Sequence, residues 1–211
     1  MKKYVLLDWD GTLAKTLDIW LDACRSAINM QRVSKSDEEI GSSFGQFPQF
    51  LKTWKVENIQ LAIEETDKIA KKKLPDVELY PDALFVLDEL KKRSKKLALI
   101  TTSPLENIEQ LLVKHELMST FDVIIHGDDV KNHKPHPESL ELALKKLNGT
   151  REEAVMIGDS DKDIGASTNA GTDSILFYPP EHKKFYDVNT LRKLKPTFVI
   201  SDFKDIIQLV G

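Results

Sequence analysis

A single cysteine, Cys24, excludes any disulfide within the chain and fits a reducing compartment. No apolar run approaches the roughly 20 residues of a membrane-spanning helix. Only "YVLL" follows the two N-terminal lysines before an aspartate, too short for the core of a signal peptide. Neither charge dominates: 30 basic residues stand against 34 acidic ones, for a net charge of −4, so nothing pulls the chain as a whole toward nucleic acid or anionic lipid. Internal repeats and low-complexity segments are also missing. What remains is the expectation of a soluble cytoplasmic protein, monomer or homodimer, that binds neither nucleic acid nor membrane. Its 211 residues, 41% of them hydrophobic, suffice for one domain or two modest ones.

The hydrophobic residues come in short runs: "YVLL" (4–7), "LALI" (97–100), "VIIH" (123–126), "AVMI" (154–157), "SILF" (174–177) and "TFVI" (197–200). Runs of this length, apolar on both faces, read as strands covered by helices on either side. Helical stretches lie between them, such as "PDALFVLDELKKR" and "PESLELALKKL", each with proline near its start and cations at its end. Alternation of this kind predicts an α/β fold: a Rossmann-like parallel sheet with helices on both faces.

From Ala14 to about Leu79 the alternation stops. Leu17, Trp20, Leu21, Cys24, Ala27 and Ile28 recur at helical spacing, as do Ile59, Ile63, Thr66 and Ile69, with "GSSFGQFP" (41–48) as the main loop. The expected organisation is an α/β core of residues 1–14 and 80–211, with an α-helical cap of residues 15–79 inserted after the first strand. Trp20, Phe44, Phe47, Phe50 and Trp54 read first as packing residues of that cap. Lys71–Lys73 follow Glu64, Glu65 and Asp67, which is helix-end electrostatics and no nucleic-acid patch.

Ligands of open parallel sheets bind at the carboxyl ends of the strands. Here those ends carry Asp8, Asp10, Gly11 and Thr12 after the first strand, Thr101, Thr102 and Ser103 after the second, "HGDDVKNHKPHP" after the third and "GDSDKD" after the fourth. Carboxylates this close raise one another's pKa unless a cation lies between them. A hard divalent ion with oxygen ligands and room for a phosphate, in the style of Mg2+, meets that requirement. Calcium is rejected at 159–170, because the glycine falls one position late and Ala170 stands where a bidentate glutamate belongs. His126, His133 and His136 have no zinc spacing. Taken singly, Asp10-Gly11 is an ordinary turn, Lys134 one of many surface cations and Thr101 a strand-end hydroxyl.

Taken in order, "DWDGTL", Thr101, Lys134-Pro135 and "GDSDKD" resemble the four motifs of the haloacid dehalogenase superfamily of phosphohydrolases. "LYPDALFVLDELKKRSKKLALITTS" and "IGDSDKDIGASTNAGT" are similar to its phosphoglycolate phosphatase and β-phosphoglucomutase branch, whose helical cap follows the first motif. The resemblance implies that Asp8 is a nucleophile forming an aspartyl-phosphate and that Asp10 is the acid and base. It implies that Thr101 and Lys134 bind and orient the phosphate, with Gly11, Thr12 and Thr102 cradling it through backbone amides. Mg2+ would be held by Asp8, the Asp10 carbonyl, Asp159 and Asp163. Trp9, Lys15, Thr16 and Asp82 depart from the branch's usual residues, the last three at the linkers to the cap. The expected activity is hydrolysis of a small phosphorylated metabolite, a phosphate monoester, with Thr16, Trp20, Phe44 and Gln46 of the cap selecting it. The alternative is a β-phosphoglucomutase-type phosphomutase, which would need a cap cation such as Arg25, Arg32 or Lys52. A non-catalytic switch domain that accepts phosphate would not need Asp10.

Overall fold

Six strands form in the computed structural model, which describes residues 1–211. They are β1 (Tyr4–Leu7), β2 (Lys96–Ile100), β3 (Val123–Ile125), β4 (Ala154–Gly158), β5 (Asp173–Phe177) and β6 (Phe198–Ile200). All pair in parallel in the order β3-β2-β1-β4-β5-β6, with Val5 level with Leu97 on one side and Val155 on the other. The alternation of side chains along each strand explains the double cover. Val5, Leu7, Leu97, Leu99, Val155 and Ile157 face one layer of helices, while Leu6, Ala98, Ile100 and Met156 face the other.

The first layer holds α5 (Ala83–Lys92), α6 (Leu105–Lys114) and α10 (Asp205–Leu209), through Val86, Leu90, Leu111 and Ile206 among others. The second holds α7 (Glu138–Leu147) and α8 (Asp161–Ala170), through Leu140, Ala143, Ala166 and Ala170. A further short helix, α9 (Val188–Lys193), precedes β6. The order of connection reverses between β1 and β4. That reversal opens a crevice at their carboxyl ends, the usual position for a ligand in such sheets.

Between β1 and β2 lie α1 (Leu17–Asn29), α2 (Asp37–Ser42), α3 (Phe47–Thr53) and α4 (Ile59–Lys73), and no strand. Helix α1 buries Leu17, Leu21, Cys24 and Ile28, and packs on α4, whose buried stripe is Ala62, Thr66 and Ala70. The residues expected as one loop, 41–48, are partly helical. Gly41 and Ser42 end α2, and Phe47 and Pro48 begin α3. Gly41 has a packing reason: a Cβ there would lie 2.6 Å from the Phe185 carbonyl oxygen. Phe185, Tyr178, Leu176 and Ile164 join Leu21, Ile28 and Leu51 in one apolar cluster, so these helices share a core with the sheet's second layer.

The two linkers run side by side. Lys15 N–H donates to the Glu78 carbonyl at 2.9 Å, Tyr80 N–H to the Leu13 carbonyl at 2.9 Å, and Ala14 forms an antiparallel bridge with Leu79. The Lys15 ammonium lies 3.7 Å from the Glu78 carboxylate, and Asp82 adopts a left-handed φ of 63°. Aspartate tolerates that conformation better than most residues, and Asp82 also pairs with Lys204 at 3.1 Å.

Alanine at position 41 should destabilise the protein although it favours helix by ~1 kcal/mol over glycine. The added methyl meets backbone, which cannot rotate away, and overpacking of this kind costs about 1–3 kcal/mol. Gly41→Ala is therefore expected to lower the thermal unfolding midpoint; an unchanged or higher midpoint would show that the contact with Phe185 yields freely.

Candidate active site

Asp8 follows β1 directly, and its amide continues the ladder by donating to the Ile157 carbonyl at 2.9 Å. Its side chain is therefore held at the rim between β1 and β4, where it is 7% exposed. Lys134, also buried, spends its whole ammonium here. It donates to Asp8 Oδ1 at 2.7 Å, Asp163 Oδ1 at 2.5 Å and the Ile100 carbonyl at 3.1 Å. Three hydrogens thus tie together the ends of β1 and β2 and the first turn of α8.

Asp159 follows β4, and Asp163 reaches back from the first turn of α8. Asp163 Oδ2 accepts from the Ser160 amide at 3.1 Å and from the Ser160 hydroxyl at 2.7 Å, forming a capping box with Ser160 as N-cap. Oxygens of Asp8, Asp159 and Asp163 all lie within 4.8 Å of one another, and Asp159 Oδ2 is buried without a hydrogen-bond partner. Gly11, at φ 74°, makes this approach possible, since a Cβ there would collide with the Asp159 carboxylate. Three buried carboxylates with one ammonium and an orphaned oxygen fit a hard divalent cation.

The titration of these groups reflects the same crowding. Burial above all, then the Asp163 charge, pushes Asp8 up to about 8 against the opposing pull of Lys134. Burial, followed by the charges of Asp163 and Asp8, holds Asp159 well above the usual carboxylate range. Burial lowers Lys134, but Asp163 and Asp8 outweigh it, and the ammonium stays charged.

Asp10 stands apart from the three. Its Oδ1 accepts from the Trp20 indole N–H and its Oδ2 from the Ser103 hydroxyl, both at 2.7 Å. It nevertheless lines the same cavity of about 340 Å³ as Asp8, Asp159 and Lys134. Trp20, Phe44 and Thr102 also reach that cavity.

Several expected residues do not. Thr12 and Thr16 are fully buried with unpartnered hydroxyls, and neither forms the cavity wall. The amides of Gly11 and Thr12 are occupied inside the turn, donating to the Ala14 and Trp9 carbonyls. Thr101 is buried behind the wall, where its hydroxyl oxygen accepts the Ser103 amide at 3.0 Å. Gln46 lines a neighbouring polar groove with Gln49, Lys131 and His133. Arg25 pairs with Asp37 and lies near Asp22, and none of Arg25, Arg32 and Lys52 reaches the cavity. Asp128 and Asp129 cap local backbone, accepting from the Leu105 and His126 amides.

Other wall residues escaped the sequence reading: Ser160, Lys162, Asn107, Glu106, Asp67 and Tyr186. Ser160 had a legible signal, since Ser-x-x-Asp at 160–163 is a capping box. Tyr186 had none; it lies beyond β5 and arrives beside Asp159 only through the fold.

The family model for haloacid dehalogenase-like hydrolases matches residues 5–177. Pyrophosphatase PpaX of Bacillus mycoides (strain KBAB4) is 30% identical over 217 residues, covering 98% of this chain and 96% of that protein. A crystal structure described as a haloacid dehalogenase-like hydrolase, from Bacteroides fragilis, is 27% identical with a TM-score of 0.85, covering 98% of this chain and 100% of the other. CbbY from Rhodobacter sphaeroides, solved in complex with phosphate, is 25% identical with a TM-score of 0.76, covering 98% and 96%.

The raised pKa of Asp8 has a consequence for stability. Below about 4 the carboxyl is protonated in both folded and unfolded chains and contributes no slope. Between about 4 and about 8 only the folded chain keeps that proton, so stability falls as pH rises, by ~1.4 kcal/mol per unit for a full proton. In chelator, denaturant titrations from pH 5 to 8 should show this decline, and Asp8→Asn should remove its share. Saturating magnesium should stabilise the wild type more at pH 8 than at pH 5; an equal or smaller gain at pH 8 would contradict the carboxylate site.

Proposed function

The chain belongs to the haloacid dehalogenase-like hydrolases, and from that premise we propose that it is a magnesium-dependent phosphatase of small phosphate monoesters, acting through an aspartyl-phosphate on Asp8. One observation carries this reading. A buried aspartate, held through one oxygen by Lys134, shares a cavity with a second aspartate that is oriented separately. The CbbY relative's binding of phosphate supports the same ligand chemistry.

In the first step an oxygen of Asp8 attacks phosphorus, the bond from phosphorus to the leaving oxygen breaks, and Asp10 supplies that oxygen with a proton. In the second, Asp10 takes a proton from water, the water oxygen attacks phosphorus, and the acyl-phosphate bond breaks to return Asp8 and release phosphate. Trp20 and Ser103 hold Asp10 at a fixed orientation beside Asp8, which separates proton carrier from nucleophile. Lys134 offsets negative charge on Asp8 and the phosphoryl group. Thr102 and Ser103 line the wall beside them, and Thr101 orients Ser103 from behind. A bound magnesium ion, held by Asp8, Asp159 and Asp163, would supply the positive charge that keeps Asp8 ionised near neutral pH and neutralises phosphate oxygens. Monoester hydrolysis can require accelerations up to ~10²¹, or about 29 kcal/mol, so nucleophile, proton carrier and fixed charge must act together.

The mutase reading lacks a cation for a distal phosphate: the cavity's only ammonium groups are Lys134 and Lys162. Lys134 is committed as described, and Lys162 donates to the Ser42 carbonyl and pairs with Asp161 at 2.8 Å.

Release of inorganic phosphate from a panel of phosphomonoesters with magnesium tests the proposal. Many turnovers per chain are expected, with Asp8→Asn folded but slower by at least ~10³-fold, because an amide is a poor nucleophile. Excess chelator should abolish turnover, and calcium should inhibit it, since its longer bonds and higher coordination misplace the reacting groups. Full activity in Asp8→Asn or in chelator would defeat the mechanism.

A further inference from the structure

The cavity over Asp8 is walled largely by the inserted helices, with part of α6, and Leu17, Trp20, Phe44, Phe47, Pro48 and Ile63 make that wall largely apolar. Its charged groups are acidic: Asp67 on α4 and Glu106 on α6, both exposed, with Asn107 of α6 beside them. The three belong to one region. Lys71 on α4 bridges to Glu106 at 2.9 Å, and the charge on Glu106 raises the pKa of Asp67 behind the larger effect of burial, while Lys71 opposes it. Burial first, then the Asp67 charge, pushes up the pKa of the Cys24 thiol, which lines the same cavity.

No lysine or arginine of α1, α3, α4 or α6 lines the cavity, and Lys71 is paired with Glu106. Lys134 and Lys162 are the only lysines on the cavity wall, no arginine reaches it, and both lysines are committed to protein partners. Glu106 already has Lys71, whereas Asp67 has no ion-pair or hydrogen-bond partner of its own; Lys68 bonds to Glu65 and Lys71 to Glu106. A second phosphate or a carboxylate on the substrate would therefore lose its hydration against an apolar wall and beside the unpaired Asp67 carboxylate, where Lys71 is already paired with Glu106.

We propose that the leaving group is an apolar chain ending in a hydrogen-bond donor, an ammonium in preference to a neutral group, and that it carries no second anion. This deepens the phosphatase reading and rests on it. The chain packs against Trp20, Phe44 and Ile63, while its donor end meets the Asp67 carboxylate. It also separates this chain's substrate from pyrophosphate, whose leaving group is itself an anion.

The test uses the magnesium-loaded enzyme and four-carbon phosphate esters ending in methyl, ammonium, carboxylate or a second phosphate, with pyrophosphate as a fifth substrate. The expected order of kcat/KM is ammonium, then methyl, then the three anionic compounds, with ammonium above carboxylate by about tenfold or more. Asp67→Lys, a change on an exposed helix position, should narrow or reverse the ratio of ammonium to carboxylate. Turnover in which pyrophosphate or an anionic ester ranks first would overturn the proposal and leave the phosphatase reading standing. An ammonium-to-carboxylate ratio unmoved by Asp67→Lys would likewise overturn it. No turnover of any of the five would defeat the phosphatase reading, and this inference with it.

Discussion

Lys134 is the one cation paired with the buried carboxylate cluster, in contact with Asp8 and Asp163 but not with Asp159, and the site is organised around that imbalance. One ammonium cannot hold three neighbouring carboxyls ionised, so the pKa values of Asp8 and Asp159 are raised, and Asp159 keeps an oxygen without a hydrogen-bond partner. Removing one partner from such a buried set ordinarily costs about 3–5 kcal/mol, because the remaining charge cannot reach water. The fold tolerates the arrangement because a parallel sheet delivers Asp8 and Asp159 from adjacent strands to one rim. The first turn of α8 then returns Asp163 to the same point. Stability and function meet there, since the crowding that raises these pKa values without metal is what would favour a divalent cation.

Around this centre the labour is divided by origin. The sheet and its flanking helices supply the charged floor of the cavity, and the insertion supplies most of the apolar wall. Trp20 joins the two, giving its ring to the wall and its indole N–H to Asp10. The group proposed to move protons is thus oriented partly by a helix that also lies against the leaving group. Seating of the insertion and readiness of the proton carrier become one geometric event.

The sheet was legible in the amino-acid sequence because a doubly covered parallel strand leaves a short, uninterrupted apolar run, and all six runs became strands. The charged floor was legible because strand ends are fixed points in such a sheet, which is why Asp8, Asp159, Asp163 and Lys134 converge. Residues in tight turns were not. Thr12 follows Gly11 in the motif, yet the turn directs its amide to Trp9 and its hydroxyl into the interior, a rotation that no linear spacing records. Thr16 and Trp20 lie one helical turn apart on α1, and only the longer side chain reaches the cavity. Gly41 reads as part of a loop because the backbone that fixes it, at Phe185, is 144 positions away in the chain. Asp82 is the converse case: a departure from the branch's usual residue, it occupies a left-handed turn that aspartate tolerates.

The bridge between Ala14 and Leu79 places the entry and exit of the insertion side by side. In connectivity, the inserted segment is a closed excursion: a chain spliced from one linker to the other would have every strand of the sheet in its present order. In solvation it is nothing of the kind. Excision would strip the cover from Ile164, Leu176, Tyr178 and Phe185, all of which lie within its apolar cluster. A segment closed on itself in connectivity is thus part of the interior, and Leu176 of the sheet depends on it for cover.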